Sequence, residues 1–354
     1  MDHSATDYSH WGTSQRIACS YQDLASSVKV GSKILFADGG ISSIVKKIDK
    51  GIVTVQILND GKLGSKKNMC LPGLTITLPT ICDYDEYDIV DFGLKNKVDY
   101  IAVSFARYKS DLTNLRKFLA AKDPVHGPNI HLISKIENHE AIENIDEIID
   151  GSDGIMVARG DLGMEVPIEK VVLLQKYIMS KTIDAGKYVV CATQMLESME
   201  SKPRPTRAEV SDLTNSILDL SDANMTSGET TNGLFPTECA EMMRKVAQET
   251  ENAIDYRKVF NYRKQFVSHS SHVVGAVGLS FDLNADLIFL ETDDLKLINQ
   301  LSSLRPQAYI CVFSDNPVVK NLTALNFGVY CFPRKYLSNP ESFIGTFGSQ
   351  FIAR

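Results

Sequence analysis

Short runs of apolar residues, separated by glycine-containing turns, characterise the first part of the chain. Strand-like runs occupy 33–36 and 52–57, and turn sequences (ADGG and NDGK) follow them. Strands this short, joined by tight turns, are typical of a small barrel or sandwich. We therefore predict an N-terminal tail and a β-domain over residues 1–78, and we expect the segment between Pro72 and Pro79 to link it to the next part of the chain.

From about residue 80 the pattern changes to helices that alternate with short apolar runs. Leu112, Leu115 and Phe118/Leu119 recur at the spacing of one buried helical face. Polar residues end the apolar runs at intervals of about 25–35 residues, which is the length of one βα unit. Parallel strands joined by crossover helices predict a (β/α) barrel, which we assign to residues 79–255.

The remaining segment, 256–354, shows a third pattern. An apolar helix that runs to Phe281 precedes strands at 286–290 and 309–313, and a further strand is indicated at 329–332. Strands and helices that alternate in so short a segment predict a small open α/β domain. The chain as a whole is therefore predicted to belong to the α/β class.

Composition and charge exclude several classes of function. The formal net charge of −7 argues against nonspecific binding of nucleic acid, which needs a concentrated basic surface. Seven cysteines without a CxxC pair favour reduced thiols and a cytosolic setting. No apolar run approaches the roughly 18–20 residues that span a membrane, and the polar start lacks a signal-peptide core. A cytoplasmic protein without a membrane partner is the expectation.

Ionisable residues at the ends of neighbouring strands mark a candidate active site. Lys135 and Glu137 end one apolar run, Arg159 and Asp161 end the next, and Thr193 ends the one after that. Such groups are rarely fully buried unless they are paired or bind a metal. Because the carboxyl ends of parallel strands meet at one face of a barrel, we expect these side chains to lie together.

The residue types at these strand ends suit phosphoryl transfer. Glu137 and Asp161 offer the hard oxygen ligands that Mg²⁺ prefers, and Lys135 points to the same face as Glu137 because they are two residues apart on a strand. A cation beside such a site neutralises the charge of a transferring phosphoryl group. Amides of Gly160 and Asp161 suit a carboxylate, and the Thr193 hydroxyl suits a position near a reacting carbon or an ordered water.

Each of these interpretations has a structural alternative. Lys135 and Glu137 can form a same-face salt bridge, Arg159 and Asp161 can form a structural ion pair, and Thr193 can act as a cap. The metal interpretation is favoured because all of these residues fall at the same end of consecutive strands.

Seven stretches of the sequence, in this order along the chain, closely resemble the motifs of pyruvate kinase. They are LGSKK (63–67) with LPG (71–73), SKIENHE (134–140), DGIMVARGDLG (153–163), CATQMLESM (191–199), PRPTRAE (203–209) and MTSGET (225–230). The resemblance covers nearly the whole chain. It implies a TIM-type (β/α)₈ barrel, a small β-barrel domain inserted after the third barrel strand, and a C-terminal open α/β domain.

The resemblance also implies a reaction and the residues that perform it. The family transfers a phosphoryl group from phosphoenolpyruvate to ADP in glycolysis, and it uses Mg²⁺ and usually K⁺. Matched position by position, Lys135 would stabilise the transferring phosphoryl group, and Glu137 and Asp161 would bind Mg²⁺. The amides of Gly160 and Asp161 would bind the substrate carboxylate, and Thr193 would lie by the enolate carbon.

Two further expectations come from the same resemblance. Lys67 in the β-domain would contact the nucleotide, although a solvated loop is the alternative for the pair of lysines at 66–67. The protein would form a homo-oligomer, which is a tetramer in the family.

The sequence departs from the family pattern in one respect that bears on activity. Two motifs that precede the β-domain in the family, of the types Arg-Xaa-Asn-Phe-Ser and Asp-Thr-Lys-Gly-Pro, do not occur in this sequence. They would supply a phosphate-binding arginine and most K⁺ ligands. We therefore expect a partial barrel of five strands, an incomplete C-terminal domain, and a polypeptide that alone lacks normal turnover.

Two other hypotheses remain open at this point. A catalytically inactive relative of pyruvate kinase with a binding or regulatory role would keep the motifs without the reaction. A metal-dependent aldolase or lyase that forms an enolate would use similar carboxylate ligands, but it would not need the β-domain, which we interpret as a lid over a nucleotide.

Overall fold

The computed structural model describes residues 12–13, 15–37, 39–76, 78–265 and 270–351. Asp38, part of the first predicted turn, lies outside these residues. The described part of the chain contains three sheets: a four-stranded antiparallel sheet, a five-stranded parallel sheet and a three-stranded parallel sheet. The predicted α/β class is thereby confirmed. The boundaries predicted for the domains stay predictions.

The antiparallel sheet is built from the short strands that the sequence predicts. Helix α1 (Leu24–Ser27) precedes strands β1 (Lys33–Phe36), β2 (Ile41–Asp49), β3 (Ile52–Ile57) and β4 (Met69–Cys70), and the strand order is β3-β2-β1-β4. Positive φ angles at Lys50 (47°) and Gly51 (80°) form the tight turn between β2 and β3. Alternate residues such as Ile34 and Val45 are buried in the core of this sheet.

The parallel sheet follows the predicted alternation of strand and helix. Its elements are α2 (Asp83–Tyr87) continued by a π-helix (Asp88–Leu94), β5 (Tyr100–Val103), α3 (Lys109–Lys122), β6 (His131–Ile136), α4 (His139–Glu143), α5 (Ile145–Gly151), β7 (Gly154–Ala158), α6 (Arg159–Glu165), α7 (Val171–Asp184), β8 (Tyr188–Ala192), α8 (Arg207–Leu218) and β9 (Ala223–Met225). The strand order is β5-β6-β7-β8-β9, and every neighbouring pair is parallel.

Burial explains why these strands read as continuous apolar runs. Every residue of β7 and β8 is buried: side chains on one face pack in the cluster that they share with the helices, and those on the other, such as Met156 and Tyr188, pack together in a second apolar cluster. All five strands run in the same direction, so their carboxyl ends lie at one edge of the sheet.

Two helices of the parallel-sheet region are less regular than the sequence predicts. The alternating pattern predicts one helix at 83–95 and another near 140–149; in the structure the first changes from α to π at Asp88, and the second is divided at Asn144. Asn144 leaves the helical pattern because its side-chain amide donates to Arg107 O at 3.0 Å, a contact that connects it to the turn after β5. The sequence predicts a helix over 169–185; in the structure α7 spans Val171–Asp184, Ala185 is its C-cap residue, and Gly186 follows at φ 71°.

The third sheet belongs to the last part of the described chain. The elements are α9 (Gly228–Thr231), α10 (Pro236–Asn252), α11 (Tyr256–Arg263), α12 (Ser271–Asp282), β10 (Leu287–Glu291), α13 (Leu295–Ser303), β11 (Tyr309–Phe313), α14 (Pro317–Leu322), β12 (Val329–Phe332) and α15 (Pro340–Phe347), with strand order β10-β11-β12. The long helix expected from about residue 263 to Phe281 is shorter, since α12 begins at Ser271; residues 266–269 lie outside the described part.

A buried ion pair joins this third sheet to the parallel sheet. Arg305 Nη2 lies 2.9 Å from Asp222 Oδ2, and the two side chains are 1% and 2% exposed. Asp222 also accepts hydrogen bonds from Val189 N of β8 and from Phe327 N, which precedes β12. Since one carboxylate receives donors from both sheets, it fixes their relative position.

His131, at the start of β6, makes the stability of this region depend on pH. Its ring stacks on Tyr188 with centroids 6.2 Å apart, and burial lowers the pKa of His131 below its usual 6.5. The neutral ring is therefore favoured in the folded state. Above pH 6.5 the His131 ring is neutral in both the folded and the unfolded state, so it causes no loss of stability. As the pH falls below 6.5, the unfolded chain takes up a proton first, and the folded state loses stability.

We expect His131→Phe to reduce this loss while keeping an aromatic ring against Tyr188. Between about pH 7.5 and 5.5 the free energy of unfolding should fall less steeply in the variant, by at most about 1.4 kcal/mol per pH unit, which corresponds to one proton. Urea unfolding curves at a series of pH values measure this difference. Equal slopes for the wild type and the variant would contradict the assignment.

Candidate active site

The predicted site residues lie at the carboxyl ends of three neighbouring parallel strands. Lys135 is the penultimate residue of β6 and Glu137 follows β6; Gly160 and Asp161 form the first turn of α6, directly after β7; and Thr193 follows β8. The structure brings Lys135 into contact with Glu137, and Gly160 into contact with Thr193. The predicted common edge of the sheet is therefore present.

Glu137 is completely buried, and the structure holds its carboxylate in one orientation. Its Oε2 accepts a hydrogen bond of 2.6 Å from the amide of Phe105, which follows β5 at φ 51°. Its Oε1 lies 2.6 Å from Lys135 Nζ, so the same-face salt bridge is present. This contact lacks the angles of a hydrogen bond, and Oε1 has no hydrogen-bond partner among the described residues. A cation that binds Oε1 would therefore share this oxygen with the Lys135 ammonium.

Lys135 is oriented by a second contact. Its ammonium donates to Ser104 Oγ at 3.0 Å, which places it between the ends of β5 and β6. The Lys135 side chain is 23% exposed, whereas that of Glu137 is fully buried. An ammonium group that is partly exposed and fixed from two sides can meet an anionic ligand that approaches from solvent.

The side chains available as ligands decide whether a divalent cation can bind at this site. No group of three or more His, Cys, Asp or Glu side chains that could hold a metal occurs among the residues that the structure describes. A cation here would therefore take one or two carboxylates, with the rest of its ligands from water or substrate. Mg²⁺ prefers such sites, so the carboxylate types at Glu137 and Asp161, after neighbouring strands, suit Mg²⁺.

Asp161 connects the site to the antiparallel sheet. Asn68 Nδ2, just before β4, lies 3.5 Å from Asp161 Oδ1 and donates to it. The neighbouring Lys67 is exposed on the loop that leads to β4. The predicted nucleotide contact thus lies beside a residue that reaches the site.

Thr193 and Gln194 have an uncommon backbone conformation. Their φ angles are 71° and 53°, in the left-handed region that costs a non-glycine residue of order 1–3 kcal/mol. Thr193 Oγ1 accepts a hydrogen bond of 2.7 Å from Gly160 N and donates to Ala192 O at 2.6 Å. The Gly160 amide, expected to bind a substrate carboxylate, therefore donates to Thr193.

Arg159 stabilises this strained loop. Its buried guanidinium forms an ion pair of 2.7 Å with Asp212 on α8. It donates to Thr193 O at 2.8 Å and to Ala192 O at 3.4 Å. The sequence suggested Arg159 as a partner for Asp161, and the contact with Asp212 was not foreseen. A buried arginine that holds several carbonyl oxygens offsets the cost of the left-handed residues.

Glu229, on helix α9 directly after β9, supports the same loop. It is 2% exposed, its Oε1 accepts from Leu196 N at 3.1 Å, and its Oε2 accepts from Ser227 N at 2.6 Å. The position of Glu229 after a strand was the available signal in the sequence. No local pattern indicated the roles of Asp212 and Asn68, because their contacts join distant parts of the chain.

Comparison with known proteins identifies the family. The family model described as "Pyruvate kinase, barrel domain" matches residues 3–240. The chain belongs to the pyruvate kinase family. A pyruvate kinase of Eimeria tenella is 43% identical over 326 residues, and one of Geobacillus stearothermophilus is 42% identical over the same length.

Solved pyruvate kinase structures have the same fold. A crystal structure of a Cryptosporidium parvum pyruvate kinase matches with a TM-score of 0.90 at 39% identity, covering 98% of this chain and 73% of that chain. A second structure from the same organism, described as a complex with ADP, also matches with a TM-score of 0.90.

The chain spans only part of its curated pyruvate kinase relatives. The match covers 90% of this chain in both cases, but 61% of the Eimeria tenella protein and 54% of the Geobacillus stearothermophilus protein. In the described part of the chain, no helix has both the length and the apolar character needed to cross a membrane.

Proposed function

We propose that this protein transfers a phosphoryl group from phosphoenolpyruvate to ADP in a Mg²⁺-dependent reaction that yields pyruvate and ATP. The observation that carries the proposal is the buried Glu137 carboxylate, which keeps one oxygen without a hydrogen bond next to the Lys135 ammonium. Membership of the pyruvate kinase family supports the same reaction.

Each residue has a role that its position favours. Glu137 and Asp161 would hold Mg²⁺, which when bound supplies positive charge to the phosphoryl oxygens. Lys135 neutralises charge on the phosphoryl group as it transfers. The amides of Gly160 and Asp161, at the start of α6, bind the substrate carboxylate, and the Thr193 hydroxyl lies by the enolate carbon.

Binding of the carboxylate requires one local change. The Gly160 N–H that would receive it donates to Thr193 Oγ1 in the structure. A carboxylate oxygen at that amide replaces the hydroxyl, and Thr193 becomes free to turn toward the substrate. An added Cβ at Gly160 would lie 3.5 Å from Thr193 Oγ1, so a side chain would occupy the space between the two residues.

The nucleotide would lie between the antiparallel sheet and this site, with Lys67 as a phosphate contact. Asn68, next to Lys67, already contacts Asp161. The Cryptosporidium parvum relative described as a complex with ADP supports a nucleotide ligand. K⁺ as a second cation, a homo-oligomeric assembly and a cytoplasmic location stay predictions.

ATP formation from phosphoenolpyruvate and ADP tests the proposal. We expect ATP formation below normal pyruvate kinase turnover that depends on Mg²⁺, is abolished by a chelator, and exceeds the level of the Lys135→Met variant. Equilibrium binding of phosphoenolpyruvate with and without Mg²⁺ is measured in parallel. Mg²⁺-dependent binding without ATP above the variant's level would favour the catalytically inactive relative; neither binding nor ATP would contradict the site itself.

A further inference from the structure

Two hydrogen bonds join the antiparallel sheet to the helix that carries Asp161. Cys70 Sγ on β4 donates to Glu165 Oε1 at the end of α6, at 2.8 Å. Asn68 Nδ2 donates to Asp161 Oδ1 at the start of the same helix, at 3.5 Å. Residues 68 and 70 share one side of an extended segment, and residues 161 and 165 are one helical turn apart. The spacing of the two donors, on residues 68 and 70, therefore matches the spacing of the two acceptors, on residues 161 and 165.

Among the residues that the structure describes, Cys70 donates a hydrogen bond to the Glu165 carboxylate. Its side chain is 6% exposed, and its Oε2 lies 3.6 Å from His139 Nδ1, a distance too long for a strong hydrogen bond. The Cys70 thiol is the close donor to this carboxylate. A buried carboxylate that loses a donor carries a desolvation cost, so separation of β4 from α6 is unfavourable.

The thiol remains a donor over the whole neutral range. Burial, the hydrogen bond to Glu165 and the negative charges of Glu165 and Asp161 all raise the pKa of Cys70 above its usual value. The sulfur therefore stays protonated and unreactive in this position. A structural role as hydrogen-bond donor explains the cysteine better than chemistry at sulfur.

We propose that Cys70 and Glu165 form a latch that holds the antiparallel sheet against α6. The latch is a positioning device: it keeps β4, and with it Asn68 and Lys67, over the first turn of the helix where Asp161 lies. A consequence, which rests on the proposed function, is that the latch sets the fraction of molecules in which the nucleotide-facing side of the site is closed. It rests on two contacts, so loss of one shifts the population of open molecules rather than unfolding a domain.

Amide hydrogen exchange without any substrate tests the latch. In Cys70→Ala the amides of α6 (Arg159–Glu165) should exchange about tenfold faster than in the wild type, which corresponds to about 1.4 kcal/mol. Cys70→Ser, which keeps a donor, should restore slow exchange. Amides of the β2–β3 hairpin and of β11 should exchange at the wild-type rate in both variants.

Two results would overturn the latch. Unchanged exchange of α6 in Cys70→Ala would show that the contact does not hold the sheet in place. Faster exchange of the β2–β3 hairpin together with α6, without restoration by Cys70→Ser, would show that Cys70 only fills space in the core of the antiparallel sheet. Because no substrate is present, either result concerns the latch alone, and failure of the proposed reaction would appear only in the ATP assay.

Discussion

Replacing Lys135 with methionine is expected to lower the rate of ATP formation by about 10²–10³-fold, the effect of removing one pre-positioned electrostatic group from a transition state. Methionine keeps much of the aliphatic length and removes the charge together with the hydrogen bond to Ser104. In the unchanged protein, Lys135 Nζ lies 2.6 Å from Glu137 Oε1 and 3.0 Å from Ser104 Oγ, and the substitution removes the positive charge from this position. Steady-state rates with saturating phosphoenolpyruvate, ADP and Mg²⁺ measure it.

A matched control separates this effect from a general loss of positive charge. Lys47 forms an ion pair with Asp49 on the surface of the antiparallel sheet, where its side chain is 68% exposed. Lys47→Met should leave the rate within about twofold, because exposed ion pairs contribute little. Both proteins are assayed at a temperature where thermal unfolding shows them folded. Equal rates for the two variants would contradict the role of Lys135.

Replacing Arg305 with methionine is expected to lower the free energy of unfolding by about 3–5 kcal/mol, the usual cost of leaving one partner of a buried ion pair uncompensated. The remaining carboxylate of Asp222 would stay inside the protein at 2% exposure. Its hydrogen bonds from Val189 N and Phe327 N would not balance the charge. Urea unfolding measures the change, with separate probes for the two sheets.

Two controls test the buried pair. Adding Asp222→Asn to Arg305→Met removes the uncompensated charge, so the double variant should be more stable than Arg305→Met alone. Arg257→Met breaks an exposed pair with Asp282, whose partners are 53% and 68% exposed, and should cost less than about 1 kcal/mol. A loss at Arg305 no larger than that at Arg257 would show that the pair does not join the two sheets.

The order of strands and the edge that carries the site were predictable because each depends on local patterns. Fully buried strands appear as continuous apolar runs, and β7 and β8 are buried at every residue. The polar residue that ends each run, such as Lys135 or Thr193, then falls at one edge by the geometry of parallel strands. Family motifs added the assignment of roles to positions.

The contacts that shape the site could not be predicted, because they join residues far apart in the chain. An ion pair between Arg159 and Asp161 was one alternative, yet the Arg159 guanidinium pairs with Asp212, 53 positions away, and donates to the carbonyl oxygen of Thr193. The left-handed angles of Thr193 and Gln194 had no sequence signal, since neither residue is glycine. Tertiary hydrogen bonds, rather than local preference, impose that conformation.

Helix boundaries were predicted less well for a related reason. Periodicity indicates one helix near 140–149, but Asn144 divides it because its side chain bonds to Arg107 O. The change from α to π geometry at Asp88 likewise has no counterpart in the spacing of apolar residues. Long and regular elements could be predicted from the sequence. Their interruptions could not, because these depend on side chains from other parts of the fold.

Binding of Mn²⁺, a paramagnetic substitute for Mg²⁺, tests the central claim that Glu137 and Asp161 form a divalent cation site. Electron paramagnetic resonance follows the loss of free Mn²⁺ signal as protein is added. The account predicts one site in the wild type, binding at least about tenfold weaker in Glu137→Gln and in Asp161→Asn, and unchanged binding in Glu143→Gln, a control at an exposed residue of α4. Wild-type affinity in both Glu137→Gln and Asp161→Asn would contradict it.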